Sequence, residues 1–149
     1  MDHAIHVALH SDHFDCSSLN VLSLDGREAI SQLFEFTVDI VCRDKSVKRA
    51  DLHNQEASLV FSIDGEETRR IHGFINRVRK TLDASAAHDL YQLTLVPRLW
   101  RTSLLTTQEV YLDMTLPQII EHKLTTVDLA ADGDRNMLSL AETYPAQSF

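Results

Sequence analysis

The sequence predicts a mainly β domain: a barrel-like antiparallel sheet with one packed amphipathic helix. Three observations lead there. Apolar and polar residues alternate in successive segments that end in Tyr91-Gln92-Leu93-Thr94-Leu95-Val96. The pair Asp64-Gly65 sits between two apolar runs, and a capped helical stripe starts at Thr115. From the N-terminus, Ile5, Val7 and Leu9 alternate with His6, Ala8 and His10, the period of a first strand. Leu19 to Leu24 is a second apolar stretch, closed by a turn signal at Asp25-Gly26. Leu33 to Val41 is rich in aromatic and β-branched side chains, the profile of a third strand. The polar stretch Arg43 to Gln55 has no strand pattern and room for one helical turn.

Ala57 to Ile63, Asp64-Gly65 and Thr68 to Leu82 predict a β-hairpin, because the tight primed turn needs positive φ and these residues tolerate it. Gly73 lies inside the second arm, where a glycine marks a bulge or a close backbone approach. Asp83 to Asp89 is polar and alanine-rich, an exposed loop. The Tyr91 strand stops at Pro97, which cannot donate to a ladder and biases its predecessor to extended geometry. A turn then lays Trp100, the chain's only tryptophan, on the sheet. Thr115-Leu116-Pro117-Gln118 fits a capping box, with Thr115 as N-cap and Gln118 reaching back. Leu116, Ile119, Ile120, Leu124 and Val127 follow at helical spacing, a stripe that a sheet or a partner subunit must cover. Ala130 to Arg135 is turn-rich, and Leu138 and Leu140 suggest another strand. Residues 1–149 are thus expected as a single domain: a sheet core over about 1–113, a helix over 115–129, and 130–149 opening a connection.

Composition sets the frame for function. The 149 residues suffice to bury about two thirds of the unfolded surface. A hydrophobic content of 44% with three prolines and four glycines argues against disorder. With 22 acidic and 14 basic residues the formal charge is −8, which disfavours nucleic-acid binding, since that depends on Lys and Arg neutralising phosphates. The basic clusters Lys45 to Arg49 and Arg69 to Lys80 read as solvated faces. No basic n-region opens the chain and no apolar run is long enough to span a bilayer, so synthesis in the cytoplasm without a cleaved signal is expected, with no stable membrane anchoring. Cys16 and Cys42 are too few for a disulfide framework or a structural zinc site and read as ordinary half-buried or buried side chains.

Four segments, in order, carry a resemblance. Gly26-Arg27-Glu28-Ala29-Ile30-Ser31-Gln32-Leu33-Phe34-Glu35-Phe36 resembles the opening of the VgrG spike proteins of type VI secretion systems, G-x-E-x-[LI]-S-x-x-F-x-F. Arg70-Ile71-His72-Gly73-Phe74-Ile75 resembles that family's R-x-[FI]-H-G-x-[IV] strand, and Tyr91 to Trp100 its Y-x-L-x-L-x-P-x-L-W block. Leu116-Pro117-Gln118-Ile119-Ile120 resembles its helix opening, and Tyr144-Pro145 the segment after it. The motif positions are therefore Gly26, Glu28, Phe34, Phe36, Arg70, His72, Gly73, Tyr91, Pro97, Trp100, Pro117 and Ile120. Where the family carries an Arg-Ile-Phe-Gln run, this chain has Glu109-Val110-Tyr111-Leu112-Asp113, which keeps a strand pattern. The resemblance implies a phage tail-hub-like fold and a non-enzymatic structural subunit without cofactors. It also implies assembly as a homotrimer that caps a secretion tube, with effectors or adaptors as further partners and export by the secretion machine. A phage or prophage tail hub is the neighbouring alternative.

Two other classes stay open on the residues. Eight histidines are present, and His3, His6, His10 and His13 would share a helical face fit for a metal, as in a small metal-dependent hydrolase. The strand reading instead places only His6 and His10 on one face. His72 has no nucleophile motif beside it and reads as a strand histidine with one satisfied ring nitrogen; G-x-S-x-G is absent. A monomeric adaptor would use the Arg43 to Gln55 stretch as its surface.

Overall fold

A computed structural model describes residues 4–44, 47–81, 87–127, 129 and 142–146. The features expected at Ala130 to Arg135, Leu138 and Leu140, and at His3, lie outside these residues, as does most of the Asp83 to Asp89 loop. The chain divides into two compact units, Met1–Pro97 and Arg98–Phe149.

The first unit is one six-stranded antiparallel sheet: β1 (Ile5–His10), β2 (Leu19–Arg27), β3 (Glu35–Cys42), β4 (Glu56–Ile63), β5 (Glu66–Thr81) and β6 (Asp89–Val96). The strand order is β1-β4-β5-β6-β3-β2, and its two edges, β1 and β2, approach each other, so the sheet curls into a nearly closed barrel. The inward positions follow the pleat. Phe36, Val38, Ile40 and Cys42 alternate along β3, facing Tyr91, Leu93 and Leu95 of β6, with Leu9, Ala57, Leu59, Ile71, Ile75 and Val78 from the other strands. Ile75 and Val78 share a side because a bulge between Ile75 and Arg77 shifts the phase by one residue. Phe74 is buried as well, on the opposite phase of β5.

The hairpin β4–β5 turns as its sequence predicts. Asp64 and Gly65 both have positive φ, 53° and 88°, the signature of a two-residue primed turn, and Ile63 faces Glu66. A short helix α1 (Arg49–Leu52) supplies the helical turn expected between Arg43 and Gln55. Leu52 is fully buried in the core, and the exchange of Asn54 N to Ile75 O and Ile75 N to Gln55 O, 2.8 and 2.9 Å, ties α1 to β5.

Three expectations are corrected. Asp25-Gly26 is no turn: β2 continues to Arg27 and pairs Gly26 with Phe36. A Cβ on Gly26 would lie 2.0 Å from Phe36 Cδ1, so this glycine makes room for a ring rather than bending the chain. The third strand begins at Glu35, two residues later than its composition suggests, because the β2–β3 connection runs through Ser31 with φ 61°. The sheet ends at Val96, and Glu109 to Asp113 joins no strand.

The second unit holds a 3-10 helix over Arg98–Leu104, an irregular segment, and α2 (Leu116–Thr126). Trp100 is in the 3-10 helix, half-buried. The capping box forms as its residue types require: Thr115 N donates to Gln118 Oε1 at 2.8 Å and Gln118 N to Thr115 Oγ1 at 3.4 Å. No residue of α2 is buried.

Candidate functional site

Some motif residues shape or pack the backbone and others carry polar pairs on the sheet. Gly26 and Phe36 pair across β2 and β3, and Phe34 sits 5.6 Å from the Phe36 ring centroid at a tilt of 51°. Gly73 faces the backbone of β6, where a Cβ would come within 2.5 Å of Val96 O. Sequence logic left a bulge or a close approach open at Gly73; the structure answers with the close approach, and the bulge lies at Asn76. Tyr91 is 2% exposed and donates its hydroxyl to Val47 O at 2.9 Å, while Lys80 Nζ stands 5.5 Å from its ring centroid. Burial raises the Tyr91 phenol above its usual range, partly offset by Lys80.

Glu28, just beyond β2, accepts from Arg69 Nη2 on β5 at 2.7 and 2.6 Å. Arg70 makes a two-pronged pair with Glu67, Nε to Oε1 at 2.9 Å and Nη2 to Oε2 at 2.7 Å. Those hydrogen bonds hold the Glu67 carboxyl below its ordinary value. His72 Nδ1 and Ser58 Oγ are 2.8 Å apart, the one satisfied ring nitrogen expected of a strand histidine. Register places His10, Ser58 and His72 side by side on β1, β4 and β5. Pro97 closes the first unit at the end of β6, Pro117 lies in the first turn of α2, and Ile120 on that helix is 39% exposed.

Among the described residues no three of His, Cys, Asp and Glu converge as a metal-ligating group. Cys16 and Cys42 are both free; Cys42 is buried with its Sγ 3.0 Å from Asp44 O, and burial raises the Cys16 thiol. Among the described residues no helix is long and apolar enough to cross a membrane.

Sequence reasoning missed two polar clusters. Asp39 accepts from Ser23 Oγ at 2.6 Å and from Gln92 Nε2 at 3.0 Å, a polar row across β2, β3 and β6. The second cluster surrounds Glu109 in the irregular segment before α2. Its Oε1 lies 3.1 Å from Lys123 Nζ, its Oε2 lies 3.5 Å from His122 Nε2 and also accepts from the Tyr111 hydroxyl. Glu109 and Tyr111, in the segment whose pattern suggests a strand, are engaged by side chains of α2 instead. No sequence periodicity announces either cluster, because each is made by residues brought together from different elements.

A nearly closed antiparallel barrel, whose motif residues serve packing, close backbone approach and cross-strand charge pairing, defines the class: a structural β domain of the tail-hub kind. The chain belongs to the phage tail baseplate hub (GPD) family, whose profile matches residues 27–149. It is 31% identical over 129 residues to a type VI secretion system spike protein, VgrG5, of Pseudomonas aeruginosa, covering 87% of this chain and 16% of that protein. It is 28% identical over 118 residues to the spike protein VgrG3 of Vibrio cholerae, covering 73% of this chain and 12% of that one. The chain thus spans less than a fifth of either relative's length. In fold it is similar to an E. coli component of the type VI secretion system described as structurally similar to the T4 bacteriophage tail proteins gp27 and gp5. That match has a TM-score of 0.66 at 21% identity and covers 100% of this chain and 36% of the other.

Proposed function

We propose that this chain is a structural, non-enzymatic part of the hub of a type VI secretion spike. In this role, β domains assemble around an axis as a homotrimer, cap the secretion tube and support the puncturing needle. The observation that carries the reading is the alignment of 87% of this chain with a spike protein. The distribution of residue roles agrees with it. Gly26, Gly73, Phe36 and Tyr91 serve the packing of one barrel, Glu28 and His72 make ties between strands, and Arg70 pairs with Glu67 within β5, with Phe34 and Trp100 half-buried and Pro97 and Pro117 marking element boundaries. Oligomerisation of such domains is driven by apolar area removed from water between subunits. In this role the hub leaves the cell with the secretion machine. Both the secretion-tube subunit and any effector or adaptor meet the assembled hub rather than a catalytic cleft. The sequence relatives being secretion spikes favours this over a phage tail hub, which shares the fold.

The test is an in-frame deletion of β3 to β6 in the gene of the source bacterium. Release of the tube protein into the medium stops if the barrel is part of the spike, and returns when the intact gene is supplied. Normal release from the deletion strain, with the truncated product stably present and no second spike gene expressed, contradicts the proposal.

A further inference from the structure

The second unit carries a polar device that the hub reading does not call on. Glu109 is met by three side chains: Lys123 Nζ at 3.1 Å, His122 Nε2 at 3.5 Å, and the Tyr111 hydroxyl. Lys123 also donates to Thr107 Oγ1 at 2.7 Å and stands 5.6 Å from the Tyr111 ring centroid, and that ring meets His122 edge-on at 5.9 Å. Five residues from two segments therefore close one network between the irregular segment and α2. Its neighbours in sequence face the other way. Val110 is 78% exposed and Leu112 66%, while Glu109 keeps 29% of its side-chain surface.

The arrangement runs against simple hydrophobic expectation. Leu116 and Ile120 of α2 are also exposed, at 49% and 39%, so apolar side chains on both the segment and the helix are left in water. Burial of Val110 and Leu112 on the helix would remove that area from solvent. Alternation permits only one of the two sets to face α2, and the Glu109 network selects the polar set. We propose that Glu109 is a latch that fastens residues 107–111 to α2 and so fixes Val110 and Leu112 facing outward. The latch needs no partner and stands whether or not the spike role is correct.

A depressed carboxyl agrees with this geometry: hydrogen bonds from Tyr111 and then Lys123 hold Glu109 at about 2. The groups facing Glu109 are Lys123 and His122 from α2 and Tyr111 and Thr107 from its own segment.

Backbone 15N relaxation on the full chain tests the latch, with E109Q, K123M and the double variant. E109Q keeps the side chain's size and removes its charge. The heteronuclear NOE at 107–112 should fall in each single variant, with little further loss in the double variant, while residues of β3 to β6 keep their wild-type values. Unchanged values at 107–112 in E109Q overturn the proposal. So does a double variant whose loss is the sum of the two singles, or an equal loss in the barrel, which would make Glu109 a contributor to global stability instead.

Discussion

In the unit Met1–Pro97 most apolar side chains converge on one core; in the unit Arg98–Phe149 many of those described face water. The barrel gathers Val38, Ile40, Leu59, Ile75 and Leu95 at 0% exposure, together with Leu52 of α1. In the second unit, Leu129 is the one buried side chain among the described residues, and Leu99, Leu104, Leu105, Val110, Leu112 and Leu116 are each exposed. Its order comes from a capping box, a 3-10 helix and the Glu109 network, which are local polar devices. Two ways of holding a chain together thus occur within one sequence, burial in the first unit and hydrogen bonding in the second. They should answer mutation differently.

The largest effect is expected from Leu95→Ala, which removes a fully buried side chain facing Phe36 and Ile75 across β3 and β5. A loss of about 2–5 kcal/mol follows from lost transfer energy plus the cavity, read as a lowered denaturant midpoint. A loss no larger than that of a surface substitution would dissolve the contrast between the units. Gly73→Ala comes next. Its Cβ would meet Val96 O at 2.5 Å, a backbone atom in a paired strand, so the two strands must part. About 1–3 kcal/mol is expected from such overpacking, and a neutral result would show that β5 and β6 are not held at this spacing.

In the second unit, Thr115→Ala removes the acceptor for Gln118 N and should loosen α2 by about 1 kcal/mol, seen as faster exchange of its first-turn amides. Ile120→Ala is the smallest, within about 0.5 kcal/mol, because that side chain is already 39% exposed. A core-sized loss there would mean that α2 is covered in solution, which sharpens the comparison in the opposite direction.

The Glu109 network of the second unit also carries a signature in its acidity. The Glu109 carboxyl is held at about 2. Its folded value lies below its unfolded one, so its contribution is complete above the ordinary glutamate range and is lost only as pH falls through about 2. An NMR titration of the Glu109 side-chain carboxyl should show that low midpoint in the folded protein, and a midpoint near the ordinary value of about 4.3 would contradict the network.

Much of the barrel was legible before the structure. Alternation in Ile5 to Leu9 and Tyr91 to Val96 marks strands because one face of each is buried, and Asp64-Gly65 marks the hairpin because primed turns need positive φ at both places. The same dipeptide logic misleads at Asp25-Gly26, where the reason for glycine is the Phe36 ring lying over it, a neighbour that sequence proximity does not reveal. Glu109 to Asp113 misleads for a related reason: alternation marks two faces but neither which of them packs nor what meets it, and here Val110 and Leu112 are exposed. The tasks of Glu28, His72 and Tyr91 were not legible in the sequence, because their partners lie 41, 14 and 44 residues away.

The most direct test of the spike role is the mass of the native gene product in its source cells, by immunoblot against this domain. The account predicts a product several-fold heavier than 16.9 kDa, the front of a full spike protein. A product near 17 kDa would contradict it, leaving a stand-alone barrel that cannot carry the needle.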